Sequence, residues 1–263
     1  MSGPHRFNVA AGSFFFKYRN GIFPVVFAAF MLGMRPQILF GSHRLDRLFM
    51  MSGYFVALSG ELARLATIGF EYIERGGRKG QVYASALVRK GLYGLTRNPI
   101  YVGNFLIVTG VVMVSGAPLA YLTVIPFFYF VYQAIISAEE DFLRKRFGRP
   151  YEDYCAEVPR LLPSFHGLRE SFSGVRFNGR RPFRQDLSTI AWVAAVLAAL
   201  PCWRSYFLNG WALTKTLFYA TVEVELAGLA LYCFFVFLKK RKSPLFYTKD
   251  QRVSPPINVF PGQ

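Results

Sequence analysis

Two short stretches of this chain carry side chains whose types and spacing suit chemistry. The first reads Gly91-Leu92-Tyr93-Gly94-Leu95-Thr96-Arg97-Asn98-Pro99-Ile100-Tyr101-Val102-Gly103. It stands where a basic segment, Arg75 to Lys90, meets a long apolar one that begins at Ile100. A residue before proline is biased away from αR, so the chain should be extended or turning at Asn98. Pro99 suits the first position of a helix, and the Asn98 side chain is placed to cap its free amides. Such a helix start offers N–H donors and a positive dipole end, which favour an anion. Arg97 adds a guanidinium whose fork matches a carboxylate or phosphate. A plainer reading has Arg97 snorkelling to lipid head groups while Pro99 merely starts a membrane helix. The second stretch is Ala138-Glu139-Glu140-Asp141-Phe142-Leu143, directly after an apolar run that ends at Ile136. Three acidic residues there are unfavourable unless they meet water, a cation or a ligand.

The elements that must position these groups follow from the pattern around them. The run from Pro99 to Ile136 is too long for one membrane crossing, and Gly116-Ala117-Pro118 breaks it into a helical hairpin. Both hairpin ends face the same side, so Arg97 is expected beside the acidic residues after Ile136. Gly148 and Pro150 read as helix-stop signals. Tyr151, Tyr154 and an irregular segment, Val158 to Pro163, follow. With 263 residues, 53% hydrophobic and 17% charged, the chain is well below the roughly 25% charged of a soluble domain. Recurrent apolar runs of spanning length imply an integral membrane protein.

The fold expected is all-α and polytopic, with about six transmembrane helices and the hairpin at the core. Residues 1–47 are read as a polar N-terminal arm followed by a first, weak span from Gly21, which would have to continue past Arg35 and Pro36 to Phe40. His43 to Arg47 reads as a charged turn before a second span, Leu48 to Phe70. Residues 48–165 form the membrane core, 166–186 a basic linker lying on anionic lipid, 187–242 an added helix pair and 243–263 a tail. Glu61 and Arg64 lie on neighbouring helix positions, where mutual pairing competes with a functional role. Glu223 and Glu225 point to different faces of the last helix, and Lys215 and Arg204 are candidate partners. The placement of basic loops predicts both termini on the cytoplasmic side, with Arg35–Arg47 dissenting.

Composition also excludes function classes. The net charge of +16 follows basic residues clustered beside apolar segments, as cytoplasmic loops facing anionic lipid do, so no nucleic-acid partner is expected. Cys155, Cys202 and Cys233 stand singly and the three histidines are scattered, so no metal site is expected. The run Gly76-Gly77-Arg78-Lys79-Gly80 fits neither a dinucleotide fingerprint nor a P-loop. No signal peptide of the usual layout opens the chain.

Five features with their spacing resemble the integral-membrane methyltransferases related to isoprenylcysteine carboxyl methyltransferase and phospholipid methyltransferase. They are Gly91-x-Tyr93, Arg97-Asn98-Pro99-x-Tyr101-x-Gly103, Glu139-Glu140-x-x-Leu143, Phe147-Gly148-x-x-Tyr151-x-x-Tyr154 and Val158-Pro159-Arg160. The resemblance covers roughly residues 50–165. It implies an S-adenosyl-L-methionine-dependent methyltransferase with a lipophilic or amphipathic substrate (an isoprenoid, a phospholipid, or a small hydrophobic thiol or acid) and an active site facing the cytoplasm. It also implies cofactor contacts at Leu87, Val88, Tyr93, Arg97, Asn98, Pro99, Ile100, Tyr101 and Glu139; no catalytic base is named. Two departures stand out. Asn98 replaces the family's usual His and cannot take a proton near pH 7. Ile135 stands where the isoprenylcysteine enzymes carry a substrate-side Arg. Alternatives from other classes are a non-enzymatic membrane protein or transporter, and a sterol-reductase-like enzyme using NADPH.

Overall fold

The computed structural model describes residues 3–71 and 82–241, and among these the chain is helical with no strand. Eight helices follow in order: α1 (Gly3–Gly33), α2 (His43–Phe70), α3 (Pro99–Ser115), α4 (Pro118–Phe147), α5 (Arg149–Glu157), α6 (Leu168–Phe172), α7 (Arg180–Asn209) and α8 (Trp211–Lys240). The Gly76–Gly80 run and the tail 243–263 lie outside the described residues.

The hairpin forms where the sequence breaks. Gly116 takes φ +62°, a left-handed cap that ends α3, and Pro118 opens α4. Gly, unlike L residues with a Cβ, adopts this conformation without strain. α4 then runs beyond Ile136 to Phe147, carrying Glu139 and Glu140 within the helix. Gly148, at φ +57°, ends it. Pro150 does not act as a stop: it lies in the first turn of α5, where proline's missing N–H costs nothing.

Among the described residues three helices, α4, α7 and α8, are long and apolar enough to cross a membrane by length and composition, fewer than the six expected. α3 is apolar but has 17 residues. α1 is diluted by Lys17, Arg19 and Asn20, and α2 by Asp46, Glu61 and Arg64. The boundaries before residue 48 also differ. The supposed arm and first span form one helix, α1, which stops at Gly33 instead of reaching Phe40. Pro36 makes helix unfavourable for Arg35 before it. The charged residues His43–Arg47 are the first turn of α2, where Ser42 accepts from the Leu45 amide.

α2 with α3, α1 with α4 and α7 with α8 pack antiparallel. α2 meets α3 through small residues: a Cβ at Gly103 would lie 2.7 Å from the Gly60 carbonyl, so the two backbones are in direct contact. α1 covers α4, where Phe23 packs edge-on against Phe128 and Tyr132. α7 is held to α2 by the Tyr54 hydroxyl, which donates to the Leu197 carbonyl at 3.0 Å. α8 lies against α7 on the outside, with none of its apolar window buried. At the hairpin-turn end of the bundle Arg204 pairs with buried Asp46, not with Glu223 or Glu225, and donates to the Gln37 carbonyl. The opposite end gathers the chain segments that hold the site.

Candidate active site

Backbone hydrogen bonds knit four segments together at that end. The Arg97 amide donates to the Pro159 carbonyl at 2.9 Å, Ser164 to Leu95 at 2.9 Å, and Asn178 to Gly69 at 2.8 Å. Residues 91–94 make a single 3-10 turn that presents Tyr93 just before α3. The Tyr154 hydroxyl donates to the Tyr93 carbonyl at 2.7 Å, so α5 positions this turn. Tyr151, Tyr154 and Val158 form a small core with Leu87, Leu143 and Phe147 packed on it. Burial pushes both phenols well above the ordinary tyrosine range, which keeps them protonated as donors.

The hairpin delivers its two ends to one place, as the sequence pattern requires. The Tyr101 hydroxyl donates to Glu139 Oε1 at 2.6 Å, and Arg97 Nη1 lies 3.7 Å from Glu140 Oε1. Arg97 also contacts the Cys155 thiol. Its Nε is buried and has no hydrogen-bond partner among the described residues, which leaves a spare charged donor at the site. By helix geometry the Ile100 amide has no intrahelical acceptor either.

Asn98 behaves otherwise than its position suggests. It is the residue before α3, but its side chain makes no cap. Its Nδ2 donates instead to the Arg160 carbonyl at 3.0 Å. The reason is competition: the 158–161 segment passes over the start of α3 and offers that carbonyl. Arg160 is the residue whose role sequence reasoning missed, although it closes a recognised motif. Its Nε donates to both Glu140 oxygens at 3.1 Å, Nη1 to Gln133 Oε1 at 2.6 Å and Nη2 to Ser137 Oγ at 2.9 Å. These three acceptors line one face of α4, so Arg160 clamps the loop to the helix that carries Glu139.

Leu87, Val88, Tyr93, Arg97, Asn98, Ile100, Tyr101 and Glu139 all line one cavity of about 2740 Å³, whereas Pro99 is buried outside its wall. Lining residues also come from α1 and α7, beyond the motif-bearing segment. Arg64 and Asn104 of this wall belong to a polar cluster only half visible in sequence. Arg64 lies 3.5 Å from Glu61, the expected pair, but its main partner is Asp186 of α7. Arg64 Nη2 donates to both Asp186 oxygens at 2.7 and 2.8 Å, and Arg64 also donates to Asn104. Asp186 was hidden inside a segment read as a surface linker; nothing in its local sequence marks it.

The donor set fits S-adenosyl-L-methionine. Arg97 and the start of α3 offer donors for a carboxylate, Glu139 and Glu140 offer acceptors for ammonium or ribose hydroxyls, and Tyr93 supplies an aromatic wall. Among the described residues, no group of three or more His, Cys, Asp or Glu is gathered at metal-binding distance.

Comparison with known proteins agrees with the motif-bearing region. Residues 48–150 match the family described as phospholipid methyltransferase. The cobalt-zinc-cadmium resistance protein CzcN of Cupriavidus metallidurans is 29% identical over 62% of this chain and 71% of its own length. The nickel-cobalt-cadmium resistance protein NccN of Alcaligenes xylosoxydans xylosoxydans is 26% identical over 68% of this chain and 80% of its own. No solved structure matches. Residues 48–150 of this chain are thus similar to the phospholipid methyltransferase family, within the wider isoprenylcysteine and phospholipid methyltransferase group of membrane proteins.

Proposed function

We propose that this chain is an S-adenosyl-L-methionine-dependent methyltransferase that modifies a lipophilic or amphipathic substrate from within the membrane. The observation that carries the reading is the meeting of the hairpin ends, Tyr101 with Glu139 and Arg97 with Glu140, in the wall of one large cavity. Small-molecule pockets are usually about 300–1,000 Å³, so 2740 Å³ leaves room for a cofactor and a substrate together. Leu87, Val88, Tyr93, Arg97, Asn98, Ile100, Tyr101 and Glu139 are the cofactor contacts in this reading. Pro99 acts from behind, by starting α3.

The cofactor, when bound, supplies an electrophilic methyl group on a sulfonium. What the chain must do is align the acceptor with that methyl and exclude water. Arg160 and the Tyr154–Tyr93 contact hold the cavity wall in place for this. No side chain is needed as a metal ligand, and none is assigned as a base. We further propose that α1, α2 and α3 cross the membrane beside α4, α7 and α8. The cavity then opens on the cytoplasmic side, where Arg144–Arg146, Arg180–Arg184 and Lys239–Arg241 cluster.

The test is binding of S-adenosylhomocysteine to the purified protein by calorimetry. Wild type should bind, and Glu139→Ala should weaken binding about 10- to 150-fold, the equivalent of 1.5–3 kcal/mol for a charge-assisted hydrogen bond. Absence of binding by wild type, or binding of NADPH in its place, would overturn the reading. Unchanged affinity in a folded Glu139→Ala variant would remove that residue from the site.

The relatives' names suggest a setting. A part in resistance to cobalt, zinc, cadmium or nickel would reach this chain through a methylated envelope lipid or small molecule. Growth in those metals with and without the protein, and with Glu139→Ala, tests that setting.

A further inference from the structure

α8 carries Glu223 and Glu225 within a helix otherwise apolar enough to cross a membrane, and none of its apolar window is buried. The two carboxyls point opposite ways. Glu225 lies on the side that meets α7, with Thr214, Thr221 and Tyr232, and Thr214 Oγ1 is 3.0 Å from Ser205 Oγ of α7. Glu223 lies on the far side and is exposed, and among the described residues it has no salt bridge or hydrogen-bond partner. Lys215 and Lys239 stand about 36 Å apart along the helix axis, a little more than the roughly 30 Å of a hydrocarbon layer. Glu223 falls between them, about 12 Å from Lys215, and so faces lipid.

The residues around Glu223 form a seam. Ala220, Glu223, Ala227, Ala230, Phe234 and Phe237 follow one another at alternating steps of three and four, and all are exposed. That repeat keeps one stripe facing a neighbouring helix as the two wind left-handed about each other. Its middle is built of alanines, which let two backbones approach closely, as interfaces between membrane helices require. Among those alanines stands the carboxyl. A carboxyl turned to hydrocarbon is costly unless another molecule supplies a hydrogen-bonding group at the same depth. A second copy of the chain does so by construction. Both copies are inserted the same way up, so their α8 helices run parallel, and Glu223 meets the partner's Glu223 across a two-fold axis along the membrane normal. One carboxyl donates its hydrogen and the other accepts it. α8 lies outside residues 48–150, so the family match assigns this face nothing.

We infer that the outer face of α8 is a dimer interface, where two copies of this chain pair through their α8 helices about Glu223. The inference needs α8 to cross the membrane and is independent of the methyltransferase reading. α8 contributes none of the residues that line the cavity, so the pair forms away from the candidate active site.

The test begins with cysteine crosslinking of the full chain in native membranes, in a Cys233→Ser background. Ala227→Cys and Ala230→Cys should link copy to copy under mild oxidation. Leu217→Cys and Leu229→Cys, exposed on α8 but off the seam, should not. Single-molecule photobleaching of the purified chain diluted in liposomes then measures the pairing itself. Wild type should pair, and Glu223→Gln, which still donates and accepts, should pair as well. Glu223→Leu should raise the dissociation constant about 3- to 30-fold, the loss of one interhelical hydrogen bond. Ala227→Phe, which holds the helices apart and leaves the carboxyl in place, should also weaken pairing. Monomeric wild type, Glu223→Leu that pairs as tightly as wild type, or equal linking on and off the seam would overturn the proposal. Seam cysteines that link to other proteins and never to a second copy would overturn it too, and would make this face a docking site for a different membrane protein.

Discussion

Replacing Asp186 by Asn isolates the contact that fastens α7 to α2. Arg64 and Asp186 are 2% and 0% exposed, and both Asp186 oxygens accept from the same Arg64 nitrogen. Removing one member of a buried pair costs about 3–5 kcal/mol, because the other charge stays buried without its partner. Glu61, 3.5 Å from Arg64, takes up part of that charge, so the lower end, about 3 kcal/mol, applies. For a chain of this size each kcal/mol moves the melting temperature by about 2–4 °C. Asp186→Asn should therefore melt about 6–12 °C below wild type in detergent, followed by tryptophan fluorescence or by the soluble fraction after heating. Arg64→Met should fall similarly, by leaving Asp186 alone. The double variant Arg64→Met/Asp186→Leu should recover much of the loss, since an apolar pair of similar volume has no buried charge to satisfy. A melting point for Asp186→Asn within a degree of wild type would refute the reasoning. So would a double variant that loses the sum of the two single losses.

Asn98 separates capping from loop anchoring. Its Nδ2 donates to the Arg160 carbonyl and makes no cap, so Asn98→Ala should lose about 1 kcal/mol of stability together with cofactor affinity. Asn98→Asp should be worse than Ala, as a carboxylate oxygen would then face that carbonyl; an Asp variant as stable as wild type, measured by thermal melting, would restore the capping account. Glu71, just beyond α2, has its carboxyl raised by burial, against the opposing pull of Arg181 and Lys90. A raised acid binds protons more tightly in the folded state. Its contribution is therefore complete below the unfolded value, near 4.5, and is lost as pH rises through the higher folded value. Glu71→Gln should leave stability unchanged at pH 4 and raise it at pH 7; identical melting curves against pH for variant and wild type would count against this.

Local signals sufficed for the hairpin and for what it brings together. Gly116 and Pro118 dictate a break whatever surrounds them, because one alone adopts the left-handed turn freely and the other cannot continue a helix. Two antiparallel apolar helices of fixed rise then leave little choice about which residues meet, and Arg97 reaches Glu140 as the spacing requires. The position of Gly148 marks the end of α4 for the same local reason.

Tertiary structure alone decided the rest. Asn98 has the sequence of a cap, but whether a side chain caps depends on which other acceptor comes within reach. Here the passing carbonyl of Arg160 does. Pro150 reads equally as a stop and as a start, and only the packing of Tyr151 and Tyr154 beneath the Tyr93 turn selects the start. Asp186 and Arg204 find their partners 122 and 158 residues away, in Arg64 and Asp46. Pairing at that range leaves no periodic trace, because it depends on how α2 and α7 are placed against one another. Arg19 is the clearest case: in sequence it is one of many basic residues near an apolar run, and only the arrangement of α1 against α4 places it inside the cavity.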